Sequence, residues 1–576
     1  MHKAKKYIGP LLTTVFALAC FVFFGFRYPY HIHYQEQYQL FEWTGAYFAS
    51  VVSAPGGFAD WAGRFLTQFF YYARGGAAVM ALLLAAVQLL TWAACRVKNP
   101  LVYVMSFLPS VALWAFFCNC DALPGAAVAI ILSLAASIIP GLVKGRAWKY
   151  ALGLALVPLL YFLCGPLCVL YAVAVAAKER SWRFAVPALA LAALCPVLAQ
   201  YVFPYPLGRL FGGLHYFRYR TVFPTLAWVS VLLSSLTLAA ASFKWEGPRF
   251  KTVAWTGACV AFVLAAFTAA AVHESADFDA EEVFKYDFMA RNQMWNRLMM
   301  TADAKPADNP LTVSCVNLAL AKSGRMAEHA FEYFQNGPTG LFPSFVRDLL
   351  SPLPTAEAFW QLGMVNAAQQ YVFEAQEAIP DFQKSGRCYL RLAETNIINR
   401  DYEVARKYIN ALKHTAFYRK DALRLETLLG DDAAVDAHPL YGQMRRLRFH
   451  EHDFMFSDTE MDSMLGLLYV ENGDNRMAYD YLLMYCLLGK DLDRFTECFK
   501  LGNFVLPPKP YQEALVLWWV NTYGSLEDIS APVESATVMN FQNFVNDYRA
   551  SRPESEMEKK YGHTYWFYYF YRYASE

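Results

Sequence analysis

Four side chains capable of acid–base or metal chemistry crowd one short stretch, FRYPYHIHYQEQYQLFEW (26–43): His31, His33, Glu36 and Glu42, set among seven aromatic rings. A carboxylate beside apolar surroundings is costly unless it is paired or used. Glu36, flanked by Gln35 and Gln37, could act as general base on an acceptor hydroxyl or help hold a divalent cation. Glu42 is the second candidate and Asp60 the third, although a place near a helix N-terminus would by itself account for Asp60. His31 and His33 could orient the acid or bind metal. Two residues apart, they share a face only on a strand, so a helical metal pair is disfavoured. The alternative for Glu36 is a solvated carboxylate at an interface. A second group, Arg209, Arg218 and Arg220, lies in FPYPLGRLFGGLHYFRYRTVFP (203–224), with Arg64 a weaker member. The planar guanidinium fork suits phosphate; the same residues could instead snorkel to anionic headgroups.

The elements that must position these residues are apolar. Hydrophobic residues make up 56% of the 576-residue chain and charged residues 17%, which predicts a polytopic membrane part joined to a soluble part. Runs at 7–26, 76–95, 100–118, 124–143, 184–203, 224–243 and 252–272 each approach the ~20 residues that cross a bilayer. A longer run, 147–177, is broken by Gly165-Pro166 and reads as two short helices folded back. About nine helices result, the first retained rather than cleaved as a signal. With the N-terminus inside, 14 Lys and Arg fall on the cytoplasmic side, among them the Lys178–Arg183 cluster, Lys244, Arg249 and Lys251; six fall outside. That bias places the 27–75 loop and everything after residue 272 outside. Residues 27–75 read as interfacial helices, one carrying Tyr30 to Phe48 and a second starting at Asp60 after a turn at Pro55-Gly56-Gly57.

The character changes after residue 272. Residues 273–308 read as a linker helix, with i,i+3 and i,i+4 pairs among Glu281, Glu282 and Lys285. Residues 309–576 read as helical repeats. YLRLAETNIINRDYEVARKYINAL (389–412), MLGLLYVENGDNRMAYDYLLMY (464–485) and NLALAKSGRMAEHAFEYF (317–334) each predict two antiparallel helices, with a small residue such as Gly466 or Ala478 at the crossing. These segments resemble tetratricopeptide repeats, which stack into a solenoid with a concave face. The predicted fold is thus all-α: a transmembrane bundle (1–272) followed by a tetratricopeptide-like α-solenoid. The run Tyr565–Tyr571 reads either as a terminal helix packed on the last repeat or as a membrane-docking belt. Cys118/Cys120 and Cys164/Cys168 lack partner ligands at zinc-site spacing; Cys486 and Cys498 could be thiols or a disulfide. The formal net charge of +1 supplies no bulk field for nucleic acid.

The layout resembles the GT-C class of membrane glycosyltransferases, with a long first external loop carrying interfacial helices and, in one branch, tetratricopeptide repeats after the membrane part. The resemblance implies sugar transfer from a polyprenyl-phosphate carrier at the outer face of a bacterial inner membrane. It would make Glu36 the catalytic carboxylate, Arg209, Arg218, Arg220 and Arg64 carrier-phosphate ligands, and the repeat domain a periplasmic platform for an acceptor or protein partner. The chain departs from the class in having one acid in YQEQ and no following D-x-D. The alternative is a non-catalytic membrane-anchored scaffold for envelope assembly or secretion. YQEQYQLF, PGGFADWAGRFLTQFFYY and FKYDFMARNQMWNRL also resemble, end to end, an uncharacterised family of bacterial envelope proteins; that resemblance implies a polytopic domain fused to a helical-repeat domain and no assigned reaction.

Overall fold

The computed structural model describes residues 2–243, 250–348, 350–449 and 460–572. Lys244 and Arg249, with the side chain of Lys251, lie outside the described residues. The chain is all-α, 73% helical, and no strand forms among the described residues. It divides into two compact units. The first holds Met1–Glu281 together with the six-residue segment His414–Arg419; the second holds Glu282–Lys413 and Lys420–Glu576. The division falls inside the helix Phe278–Arg291.

In the first unit six helices are long and apolar enough to cross a membrane: Gly9–Arg27, Ala73–Ala94, Pro100–Phe117, Gly125–Leu142, Arg146–Cys164 and Trp182–Ala199. Two shorter apolar helices are Thr225–Ala240 and Phe262–Ser275. Their outward faces keep large apolar side chains such as Leu82, Trp148 and Val186 exposed. Where polar groups turn inward they find each other: Thr13 donates to Gln88 Oε1 at 2.8 Å, and Gln88 Nε2 donates to Ser106 at 2.8 Å. An unmet amide in an apolar interior would cost several kcal/mol on the order of a lost hydrogen bond or more, so this chain fixes three helices to one another. The long apolar run breaks at the expected place. Helix Arg146–Cys164 stops at Gly165, whose φ of 74° and ψ of −162° suit glycine, and Val169–Glu179 resumes after a 3-10 turn. A β-carbon on Gly165 would lie 2.6 Å from the Tyr216 hydroxyl, so the position has neither the backbone nor the space for another residue.

The aromatic loop differs from the sequence reading. Instead of one helix from Tyr30 to Phe48, two short helices form, Tyr30–Gln37 and Gly45–Val52. Thr44 caps the second by accepting from the Tyr47 N–H at 3.2 Å, a local bond that competes with a continuous helix. Tyr38 and Phe41 are buried, so the rings fill an interior as well as a surface. The next helix begins at Gly57, not Asp60, because Gly56 (φ 82°) supplies a left-handed turn before it.

The second unit is built of paired helices. Gly386–Ile398 with Tyr402–Lys413, and Met461–Glu471 with Arg476–Leu488, occupy two of the expected repeat segments. Leu392, Ala393, Ala405, Ala478 and Tyr481 are buried between such helices. Two details depart from expectation. The segment 317–334 is no complete pair: its second helix is the four-residue Met326–His329, which tightens into a 3-10 turn at Ala330–Glu332. Gly466 makes no close crossing, since an added β-carbon would meet only Leu482 at 3.9 Å. The aromatic run at 565–571 is a terminal helix whose first four residues are buried, with Trp566 Nε1 donating to the Glu513 carbonyl and the Tyr568 hydroxyl to that of Leu488. Cys486 and Cys498 are buried free thiols.

Candidate functional site

The helix Tyr30–Gln37 holds Glu36, and its position is fixed at both ends. The first backbone amides of a helix have no partner within it. The Glu281 carboxylate takes them, accepting from the Tyr30 N–H at 2.7 Å and the His31 N–H at 2.8 Å. Negative charge at a helix N-terminus is also favoured by the helix dipole. One turn on, Gln35 Nε2 donates to the carbonyls of Asn119 and Ala122, tying the helix to the 119–123 loop. That loop pairs with the segment 216–218: the Leu123 N–H donates to Tyr216 and the Arg218 N–H to Asp121. Backbone pairing thus sets Arg218 beside Asp121, to which its Nε donates at 3.0 Å. The Arg218 guanidinium lies 3.8 Å from the centre of the Tyr38 ring, within the range of a cation–π contact.

Glu36 itself is 5% exposed. Its Oε2 accepts from the Tyr418 hydroxyl at 3.0 Å. Tyr418 belongs to the His414–Arg419 segment of the first unit, which is anchored there by the Trp43 N–H donating to the His414 carbonyl and by Phe417 stacked on Tyr71. His31 is fully buried, with Nδ1 at 2.9 Å from the Tyr28 carbonyl and Nε2 at 3.1 Å from that of Phe117. Burial, the larger influence, pushes its pKa down to about 3 against two carbonyl contacts that favour the charged ring. His33, two residues on, is half-buried, and its charge adds to the downward push on the His31 ring.

Asp60 sits in a second group. It is 2% exposed and carries two guanidinium contacts from Arg64, Nε to Oδ1 at 2.9 Å and Nη2 to Oδ2 at 2.8 Å. His215 Nδ1 lies 3.3 Å from Oδ2. An ion-pair partner therefore explains the aspartate better than helix capping does. The group is compact because Gly63 permits it: a β-carbon there would come within 2.4 Å of the Gly125 backbone nitrogen. Glu42 is half-buried, and its charge is felt by the nearby Tyr47 hydroxyl. Arg209 donates to the Thr221 carbonyl at 2.7 Å, and Arg220 lies 5.3 Å from the Tyr205 ring centre. Among the described residues no group of three or more His, Cys, Asp or Glu converges into a metal-holding cluster.

Compared with known proteins, residues 3–572 match a family of unknown function, DUF6057. The chain belongs to that family. No curated protein matches, and no solved structure matches. The chemistry of this DUF6057 chain has therefore to be read from its own geometry. That geometry brings Asp60 and Arg64 together and sets Arg218 close to the helix of Glu36; it leaves His31 and His33 on different sides of one helix turn. Four partners were missed in the sequence. His215 stood inside the quoted arginine loop and Asp121 inside CNCDALP, both visible as polar residues flanked by apolar ones. Glu281 was read as a partner of Lys285, but its side chain caps a helix some 250 positions earlier in the chain, as the 2.7 Å and 2.8 Å bonds require. Tyr418 carries no sequence signal, since nothing local distinguishes it from other repeat-domain tyrosines.

Proposed function

We propose that this protein is a membrane anchor carrying a helical partner-binding domain, a non-catalytic scaffold. The observation that supports it is that the candidate catalytic and phosphate-binding groups are engaged inside the fold. Glu36 is held by Tyr418, Asp60 is forked by Arg64, and Arg218 is neutralised by Asp121. A carboxylate forked by a guanidinium has its lone pairs engaged, and a guanidinium already paired has less to offer a phosphate. On this reading the apolar helices of the first unit cross a bacterial inner membrane, about nine times in all. The second unit then faces the periplasm and presents tetratricopeptide-like helix pairs to a protein partner during envelope assembly or secretion.

The second reading is a GT-C-type glycosyltransferase using a polyprenyl-phosphate donor, with a divalent cation as its cofactor. One observation favours it: Arg218 lies over Tyr38, two residues from Glu36, so a cation of the 203–224 segment and the acid of the 26–43 stretch share one neighbourhood. Replacement of Glu36 by Gln in the native host, with profiling of surface glycans and glycoproteins, separates the two. The scaffold reading expects unchanged glycans at normal protein level; loss of one glycan class would establish the enzyme. A periplasm-active phosphatase reporter fused after residue 576 tests the sidedness, and activity only for a cytosolic reporter would reject it.

A further inference from the structure

The second unit contains a cavity of about 700 Å³, within the size range that holds ligands of a few hundred daltons. The helix Trp295–Ala304, the helix Pro310–Lys322 and the 3-10 turn that replaces the incomplete repeat close one side; the last two helices, Glu554–Tyr561 and Tyr565–Tyr571, close the other. Its walls include the rings of Phe331, Phe334, Phe567 and Tyr568. Among the described residues its charged lining is Asp303, Glu332 and Glu558 with Arg572, and Tyr333 and Gln335 add neutral polar groups.

The charges do not cancel. Arg572 is bonded to Glu554 and to Glu558, so Glu558 is already answered. Asp303 accepts from the Tyr333 hydroxyl at 2.7 Å, and Glu332 faces His329 Nδ1 at 3.0 Å. Among the described residues neither has a lysine or arginine within ion-pair distance. Two carboxylates beside aromatic faces favour a cation with an apolar stem, because carboxylate attraction and cation–π attraction then act on one group. Phe334 is 44% exposed, an aromatic surface that such a stem would cover.

We propose that this cavity binds a basic peptide segment, seating a lysine or arginine between Asp303 and Glu332 with a neighbouring apolar residue against Phe334. The proposal rests on the scaffold reading and names the chemistry of its partner. The test uses full-length protein in nanodiscs and a fluorescein-labelled hexapeptide alternating lysine and phenylalanine, read by anisotropy. The same peptide with glutamate in place of lysine, and free spermidine as competitor, serve as controls. The lysine peptide is expected to bind and the glutamate peptide not. The double variant Asp303→Asn/Glu332→Gln should weaken binding about tenfold or more, as loss of two close charge contacts does. The charge-keeping double variant Asp303→Glu/Glu332→Asp should retain most of it, which separates charge from damage to the fold. Equal binding of the acidic peptide, unchanged affinity in the neutral double variant, or full displacement by equimolar spermidine would each overturn the proposal. Site-specific crosslinking in the host then tells the two failures apart. A partner held equally by wild type and by the neutral variant leaves the scaffold reading standing and removes the cavity; altered glycans in the Glu36→Gln host remove the scaffold reading itself.

Discussion

Asp287 and Arg387 form the pair whose removal should tell most about the second unit. Asp287 lies on the helix Phe278–Arg291 and Arg387 in the first turn of Gly386–Ile398. The guanidinium makes two bonds, Nη1 to Oδ2 at 2.6 Å and Nη2 to Oδ1 at 2.9 Å, and the side chains are only 9% and 6% exposed. The pair joins residues 100 apart in sequence. Replacing Asp287 by Leu leaves a buried guanidinium without its aspartate, and breaking a buried pair of this kind costs ~3–5 kcal/mol. Glu357 also contributes favourably to the Arg387 charge, so the lower end, about 3 kcal/mol, is expected. For a unit of this size each kcal/mol moves Tm by roughly 2–4 °C, giving a fall of about 6–12 °C. The double variant Asp287→Leu/Arg387→Met buries no charge and should recover most of the loss. The assay is thermal unfolding of the purified full chain by circular dichroism, with hydrogen exchange reporting the amides of both helices. A shift under about 2 °C in the single variant, or a double variant as unstable as the two losses added, would refute the claim that this pair locks the helices together.

Three further outcomes are expected. Burial pushes the Glu513 carboxyl up to about 8 from 4.5; the folded form keeps its proton where the unfolded form loses it. Its contribution is therefore complete below about pH 4.5 and lost as pH rises toward 8, loosening the terminal helix whose Tyr565 N–H it accepts at 2.7 Å; Glu513→Gln should flatten that slope in melting curves at pH 5 to 8.5 (about half-unit steps). His31 behaves in the opposite sense: its folded pKa of about 3 lies below the ordinary 6.5, so stability present above pH 6.5 declines as pH falls toward 3, and an acid titration of Tm in which His31→Gln matches wild type would contradict the burial argument. Gly165→Ala meets both a left-handed φ and the Tyr216 hydroxyl, at a cost of about 1–3 kcal/mol; adding Tyr216→Phe should return part of that loss in a stability assay if the steric contact matters.

The all-α class, the apolar helices, the break at Gly165 and the paired helices at 389–412 and 464–485 were legible in the sequence because each depends on local rules. Run length, proline and glycine geometry, and a 3.6-residue period need no knowledge of distant residues. The two corrections to element boundaries are also local in cause. Thr44 offered its hydroxyl to an amide three residues on, and Gly56 supplied a left-handed turn, but each competed with an equally plausible continuous pattern. Only tertiary packing determined which helix the Glu281 carboxylate would cap, which hydroxyl would meet Glu36, and that Arg64 and His215 would gather on Asp60. Pairings of this kind connect residues up to 382 positions apart, and nothing in the chemistry of either partner specifies the other. A charged group taken from water must find a counterpart. The sequence announces that need for each buried acid and base; the folded chain alone chooses who answers it.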